Sequence, residues 1–366
     1  MAHTTKTLPG TPGADTLFLD CSEVHKWMEA LMQARDLRFG IIGWGYWGPK
    51  IARNLEALPH AGVSIVADMD EKRLHALRTN EPWIQTTTRP EEVFASDVDA
   101  IVVATPVRTH YHLARQALLA GKHVLVEKPL TASSAEAQEL VELAKRQARI
   151  LMVGHTFEYN PAVNELKKLI ASGDLGKIYC IEAERVNLGL YRSDINVIWD
   201  LAPHDISILR YLLGTTPQRI KVQAHAHLQP HIQDVAHLDL GFADGMNAHI
   251  HVSWLHPCKI RRVTIIGDLR MVVYDDTNPA EMLKIYNKGA DIHADPVVSY
   301  RYGAITIPHI DWTEPLRLEC EDFAHAIRTG QTPRASGEVG LEVVRILAAI
   351  QEELTQQESQ RTMTSV

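Results

Sequence analysis

The chain has 366 residues, 45% of them hydrophobic, and a formal net charge of −8. That length supports a large core divided over two or three domains. The acidic balance argues against a broad nucleic-acid or acidic-membrane surface, because both need clustered positive charge.

Residues 1–37 read as a flexible tail followed by an amphipathic helix. "MAHTTKTLPGTPGAD" lacks the apolar stretch of a secretion signal. In "LDCSEVHKWMEALMQARD", Val24, Trp27, Met28, Leu31 and Met32 recur at helical spacing and form one apolar stripe. The stripe is expected to pack on the main body or on a second subunit. Its mixed charges suit a membrane-surface helix poorly. No apolar run approaches the roughly 18 residues of a membrane span. Cys21, Cys180, Cys258 and Cys320 form no CxxC pair, so neither a disulfide framework nor a thiolate zinc site is expected, and a cytoplasmic location fits best.

Residues 38–154 alternate apolar strands ("RFGIIG", "VSIVAD", "DAIVVAT", "HVLVEK", "ILMVG") with helical stretches. This rhythm predicts a parallel sheet covered on both faces, a Rossmann dinucleotide-binding domain in an α/β chain. Gly43-x-Gly45-x-x-Gly48 follows the first strand and opens a helix. In that pattern the first glycine permits the tight turn, the second lets a diphosphate approach, and the third lets helix and strand pack. The free N–H groups near Tyr46 and Trp47 then face the diphosphate. The second strand ends at Asp68, about 20 residues on, where a carboxylate holds the adenosine ribose and repels a 2′-phosphate. NAD is therefore expected as cofactor, with NADP less favoured. Asp70 reads as a helix cap, and Arg73 stands close enough to reach the adenosine. In "HVLVEKPL" a buried strand ends in Glu127, Lys128 and Pro129. Strand ends of parallel sheets point into clefts, so this ion pair marks a candidate site.

The rhythm stops near Gly154. Residues 155–356 read as an α+β domain on a largely antiparallel open sheet, with hairpin turns at Asp244-Gly245 and Gly267-Asp268. Residues 357–366 read as a polar tail. Asp200 and His204 stand at i and i+4 at an expected helix start, so both point one way. Pro203 is expected in the first turn, and Asp205 reads as a helix-start charge favoured by the dipole. His225 and His227 alternate along one strand, as do His249 and His251. A polar sheet face or a subunit interface explains them better than zinc, and no metal is expected.

"VVATPVRTHYHLARQALLAGKHVLVEKPL" and "WDLAPHDISILRYLLG", with the glycine loop and the change of texture at Gly154, resemble the Gfo/Idh/MocA oxidoreductase family from residue 38 to residue 356. The resemblance implies that Lys128 reaches into the cleft near the nicotinamide and stabilises a developing alkoxide. It places Glu127 by the nicotinamide ribose, and Thr105 and Pro106 against the cofactor. It makes His110 a ribose contact, unless that residue is simply a helix-start histidine. The Lys128–Pro129 bond is often cis in such proteins. In inositol-dehydrogenase-like members an Asp…His pair does the acid–base work. His204 would take the hydroxyl proton, with a pH limb near roughly 6.5, and Asp200 would orient the substrate. Tyr159, Asn160, Tyr191 and Arg192 would line the substrate wall. The implied activity is oxidation of a secondary alcohol, or reduction of a ketone, on a sugar, sugar nucleotide or cyclic polyol. The alternatives are a redox-neutral NAD-dependent glycosidase and a non-catalytic dinucleotide sensor. A homodimer or homotetramer through the open face of the second sheet is expected.

Overall fold

The structure, a computed structural model, describes residues 37–189, 191–292 and 298–364. The expected N-terminal tail and amphipathic helix, with Cys21, lie outside the described residues. Six strands form the first sheet: β1 (Leu37–Ile42), β2 (Ala61–Ala67), β3 (Gln85–Thr87), β4 (Ala100–Val103), β5 (His123–Val126) and β6 (Leu151–Val153). Their order is β3-β2-β1-β4-β5-β6, and every pairing is parallel. The order reverses between β1 and β4, which opens a crevice at the carboxyl ends of those strands. Phe39 and Ile41 pack on one face and Ile42 and Val103 on the other, so the central strands are apolar on both faces.

Between the strands run α1 (Gly48–Glu56), α2 (Glu71–Asn80), α3 (Pro90–Ala95), α4 (His110–Leu119) and α5 (Ser134–Arg146). Asp70 caps α2 as expected, accepting from the Lys72 N–H. β3 and α3 had no sequence signal. The first is only three residues, Gln-Thr-Thr, and the second only six, too short for a hydrophobic period to register.

The second half begins with α6 (Pro161–Ala171), β7 (Ile178–Leu188) and α7 (Val197–Leu213). It continues with β8 (Arg219–His225), β9 (Val235–Gly241), β10 (Asn247–Ser253), β11 (Leu255–Gly267), β12 (Met271–Asp275), β13 (Leu283–Ile292) and β14 (Val298–Thr306). The eight-stranded sheet runs β14-β13-β12-β11-β7-β10-β9-β8. β7 and β10 pair in parallel and the other neighbours antiparallel. Both expected hairpins are present, joining β9 to β10 and β11 to β12. Ile181 and Ala183 point to the core shared with α6 and α7, while Glu182 and Glu184 point to a polar face.

Two last helices, α8 (Pro315–Thr329) and α9 (Gly337–Thr364), return to the first sheet. The Phe323 ring lies 6.0 Å from that of Phe39. Leu341 and Val344 join the core around β5. A Cβ on Gly340 would stand 2.4 Å from Val153, so only glycine lets α9 come this close. α9 continues to Thr364, through the stretch expected to be a polar tail. Among the described residues no helix is long and apolar enough to cross a membrane.

Candidate active site

The glycine loop shows two kinds of glycine. A Cβ on Gly43 (φ +105°) would stand 2.4 Å from the Ala104 carbonyl oxygen, and one on Gly48 would stand 2.2 Å from that of Gly43. Backbone packing alone requires both. A Cβ on Gly45 would meet only an Arg73 nitrogen, at 3.6 Å. Protein packing therefore leaves Gly45 unexplained, and the space it keeps lies before the first N–H groups of α1, where Trp47 makes no side-chain cap bond. That cradle fits a dinucleotide diphosphate. Asp68 accepts from the Trp44 N–H at 2.6 Å and the Asp70 N–H at 2.8 Å, which ties the loop to the end of β2. Arg73 is held between Asp68 at 3.5 Å and Asp70 at 3.3 Å.

Thr105 bonds to Thr109 through their hydroxyls at 2.7 Å, and Pro106 precedes a short turn of helix over Val107–Thr109. His110 is not the expected ribose contact. Its ring is buried, with Nε2 at 2.7 Å from the Thr105 carbonyl and Nδ1 at 2.9 Å from the Pro129 carbonyl. It joins the loops after β4 and β5 and leaves no ring atom for a ribose hydroxyl.

The Lys128–Pro129 bond is cis. The Lys128 ammonium reaches from the end of β5 to α7, donating to the backbone carbonyl of Asp200 at 2.8 Å, with the Asp200 carboxylate at 4.0 Å. Asn196 caps α7 by accepting from the Trp199 N–H, so the helix starts earlier than the sequence suggested. Asp200 is in its first turn, whereas Pro203 lies inside the helix and not in its first turn. A proline there removes the N–H that would bond the Trp199 carbonyl. The turn it loosens is the one that Lys128 engages.

Asp200 is further fixed by Trp254, whose indole N–H donates to its carboxylate at 3.0 Å, and by Arg192 at 3.9 Å. Tyr191 packs on Trp254 at 4.9 Å between ring centroids and donates to Asp234. One turn beyond Asp200, the His204 ring stands edge-on to Phe157 at 5.1 Å, and its Nδ1 is buried with no hydrogen-bond partner. His204, Glu127, Tyr46, Trp47 and Arg185 wall a cleft of about 490 Å³.

Burial, then the cations Lys128, Arg185 and Arg261, hold His204 well below its ordinary 6.5. Burial thus favours the neutral ring, and any pH limb of its own is expected below 6.5. Burial lowers Lys128, partly offset by Asp200 and Glu127. Burial also pushes Glu127 up to about 7, against the pull of Lys128.

Two further expectations, for Tyr159 and Asp205, are corrected. Tyr159 is buried, donates to Asp322 at 2.7 Å and accepts from the Ala335 N–H, so it is a strut and not a substrate wall. Asn160 reaches the cleft, but its amide caps α6 through the Ala162 N–H and donates to Tyr274. Asp205 is no dipole charge: it is fully buried in a bidentate pair with Arg185, both bonds 2.9 Å. The histidine pairs also fall differently. His227 lies beyond the end of β8, and β9 separates β8 from β10. On β9, His237 stacks on His251 at 4.2 Å. Arg185 and Trp254 were missed from the sequence, where each reads as an ordinary strand residue.

Beneath the cleft, Glu158 is buried with no partner for either carboxylate oxygen, and burial pushes it up to about 8. A carboxylate that ionises at 4.5 when unfolded and near 8 when folded makes folding take up a proton. Its effect on stability therefore turns unfavourable as pH rises from 4.5 to 8. Glu158→Gln should be more stable than the parent by a few kcal/mol at pH 8, by about nothing near pH 4.5, in urea unfolding at both pH values.

The model of the oxidoreductase family with an NAD-binding Rossmann fold matches residues 37–155, and that of the GFO/IDH/MocA C-terminal domain matches residues 163–273. UDP-N-acetylglucosamine 3-dehydrogenase of Acidithiobacillus ferrooxidans is 28% identical over 315 residues, covering 86% of this chain and 95% of its own. A solved structure of that enzyme superposes with a TM-score of 0.73 at 27% identity, over 87% of this chain and 97% of the other. Inositol 2-dehydrogenase of Corynebacterium glutamicum strain R is 28% identical over 233 residues, 60% of this chain and 69% of its own. Both family halves match in order along one chain, and the first sheet is the Rossmann fold that the first description names. The protein is therefore an NAD-binding oxidoreductase of the Gfo/Idh/MocA family.

Proposed function

We propose that the protein moves a hydride between NAD and a secondary alcohol or ketone of a sugar, sugar nucleotide or cyclic polyol. The observation that carries this reading is the contact of Lys128, at the end of β5, with Asp200 on α7, with His204 one turn further on. NAD, when bound, supplies the hydride acceptor. The backbone from Gly43 to Gly48 holds its diphosphate, Asp68 a ribose, and Thr105, Pro106 and Glu127 the nicotinamide end. Lys128 stabilises negative charge on the reacting oxygen. His204, kept neutral, accepts the hydroxyl proton. Asp200, oriented by Trp254, holds a neighbouring hydroxyl, with Tyr191 and Arg192 behind it. Such an acid–base set has no use in a sensor. The substrate class is supported by relatives named for a sugar nucleotide and for inositol.

NAD is favoured over NADP because the Asp68 carboxylate occupies the ribose corner and the nearby Arg73 is already shared between Asp68 and Asp70. The polar sheet face bearing Glu184, His237 and His251 is the surface through which two or four copies would pair. Cys180, Cys258 and Cys320 are free thiols, which suits a cytoplasmic location. Mixing the protein with NAD and a panel of sugars, polyols and sugar nucleotides should give NADH absorbance with at least one. Asp68→Ala should weaken NAD binding about 10–100-fold and narrow the gap to NADP. Tighter binding of NADP than NAD by the parent would remove Asp68 from this role.

A further inference from the structure

We propose that Lys259, carried on a bulge of β11, joins Lys50 of α1 in completing the cofactor's diphosphate site, so that both halves of the protein grip the dinucleotide. This rests on the oxidoreductase reading above and adds a cofactor contact to it. β11 falls out of step with β7 at one place. Leu255 faces Leu188 and Ile260 faces Val186, so the four residues 256–259 stand against Asn187 alone. Such bulges re-aim side chains and recur beside active sites. This one is closed by its own contacts. His256 Nδ1 lies 2.8 Å from the Cys258 carbonyl oxygen, and Pro257 has no N–H to leave unpaired. Asn187 and Lys259 line the same cleft as Tyr46, Trp47 and Lys50, so the bulge brings a cation from the second half to the glycine loop.

The charges lining this cleft do not balance. Its carboxylates are Glu127, Asp276 and Glu314. Glu314 is paired with Arg53, Asp276 stands 3.3 Å from Arg261, and Glu127 accepts from the Lys128 N–H at 3.2 Å. The remaining guanidinium, Arg185, is paired with Asp205. Lys50 and Lys259 have no ion pair among the described residues. Lys50, in the first turn of α1, instead lies over the Tyr46 ring, 3.2 Å from its centroid. Tyr46 stands inside the glycine loop, between Gly45 and Gly48. Its hydroxyl is held below its ordinary pKa by Lys50 first, and more weakly by Arg261 and Lys259, so the positive field of β11 reaches that loop. A dinucleotide's diphosphate carries two negative charges, whereas the helix N-terminus that cradles it offers only about half a positive one. Two unpaired ammonium groups beside the cradle make up the difference. The alcohol–ketone chemistry has no use for either, since Lys128, Asp200 and His204 serve it.

The test is calorimetric titration of NAD and of ADP-ribose into the full-length protein and its Lys259→Met, Lys259→Arg and Lys50→Met variants, at low and at high salt. ADP-ribose keeps the diphosphate and lacks the nicotinamide. Lys259 is exposed, so the fold tolerates its replacement. Lys259→Met and Lys50→Met should each weaken both ligands about 5–10-fold at low salt, and by less at high salt. Lys259→Arg, which keeps the charge, should bind both nearly as tightly as the parent. The proposal is overturned if Lys259→Met binds ADP-ribose as the parent does. It is overturned too if the loss is confined to NAD, which would put Lys259 at the nicotinamide end. An equal loss in Lys259→Arg and Lys259→Met would make the effect one of packing and would also sink it. Each of these results leaves the oxidoreductase reading standing. A parent that binds neither NAD nor ADP-ribose would sink both.

Discussion

Lys128→Met and His204→Ala should each lower turnover about 10²–10⁴-fold, the usual loss for a positioned acid–base group or an oxyanion-stabilising charge. The motive is their convergence from opposite walls: Lys128 donates to the Asp200 carbonyl at 2.8 Å, and His204 follows one turn along the same helix. NAD binding should survive in His204→Ala, because α7 takes no part in the glycine loop. It should weaken modestly in Lys128→Met, whose neighbour Glu127 faces the same cleft. Two groups acting on one proton and one charge lose less together than the product of their separate losses. A fully multiplicative double mutant would separate His204 from the chemistry. The pH profile adds an independent check. Since His204 is held well below 6.5, its removal should leave any limb near 7 in place. A limb near 7 is expected from Glu127 and should disappear in Glu127→Gln. Tyr159 is no substitute base, because its hydroxyl is committed to Asp322 and Ala335.

Asp205→Ala should destabilise the fold by about 3–5 kcal/mol, because it leaves the Arg185 guanidinium buried without its carboxylate. Both side chains are almost fully buried and share two hydrogen bonds of 2.9 Å. Arg185 stands on β7 and Asp205 on α7, so the pair sets the helix that carries Asp200 and His204 against the sheet. Arg185 also lies over the Phe157 ring, at 4.5 Å, in the cleft wall. Turnover should therefore fall with stability. Replacing both residues by apolar ones, as in Arg185→Met with Asp205→Leu, should recover most of the stability and little of the turnover. Urea midpoints at constant slope would measure the difference. A loss below about 1 kcal/mol in Asp205→Ala would mean that the pair behaves like an exposed one.

Much of the first half was legible in the sequence. Five of its six strands are mainly apolar runs, ending at Gly43, Asp68, Thr105, Glu127 and Gly154. The helices between them show their own periods and caps. Such signals are local, so they survive without knowledge of neighbours. Lys128, Asp200 and His204 could be named because the strand-end ion pair and the i, i+4 spacing are also local, with the family resemblance assigning their roles.

What the tertiary structure decided were partners far apart in the chain. Asp200 and Asp205 look alike as carboxylates near a helix start. One meets Lys128 from the first half of the protein and the other is buried against Arg185 on β7. Tyr159 reads as a cleft tyrosine until Asp322, 163 positions later, takes its hydroxyl. His110 reads as a ribose contact until the loops after β4 and β5 close on both ring nitrogens. Lys50 and Lys259 come to line one cleft only when β11 stands opposite α1. Sequence patterns report which face of a strand or helix is apolar. They carry nothing about which polar groups must pair once those faces are buried, and it is that pairing which separates a strut from a catalytic group.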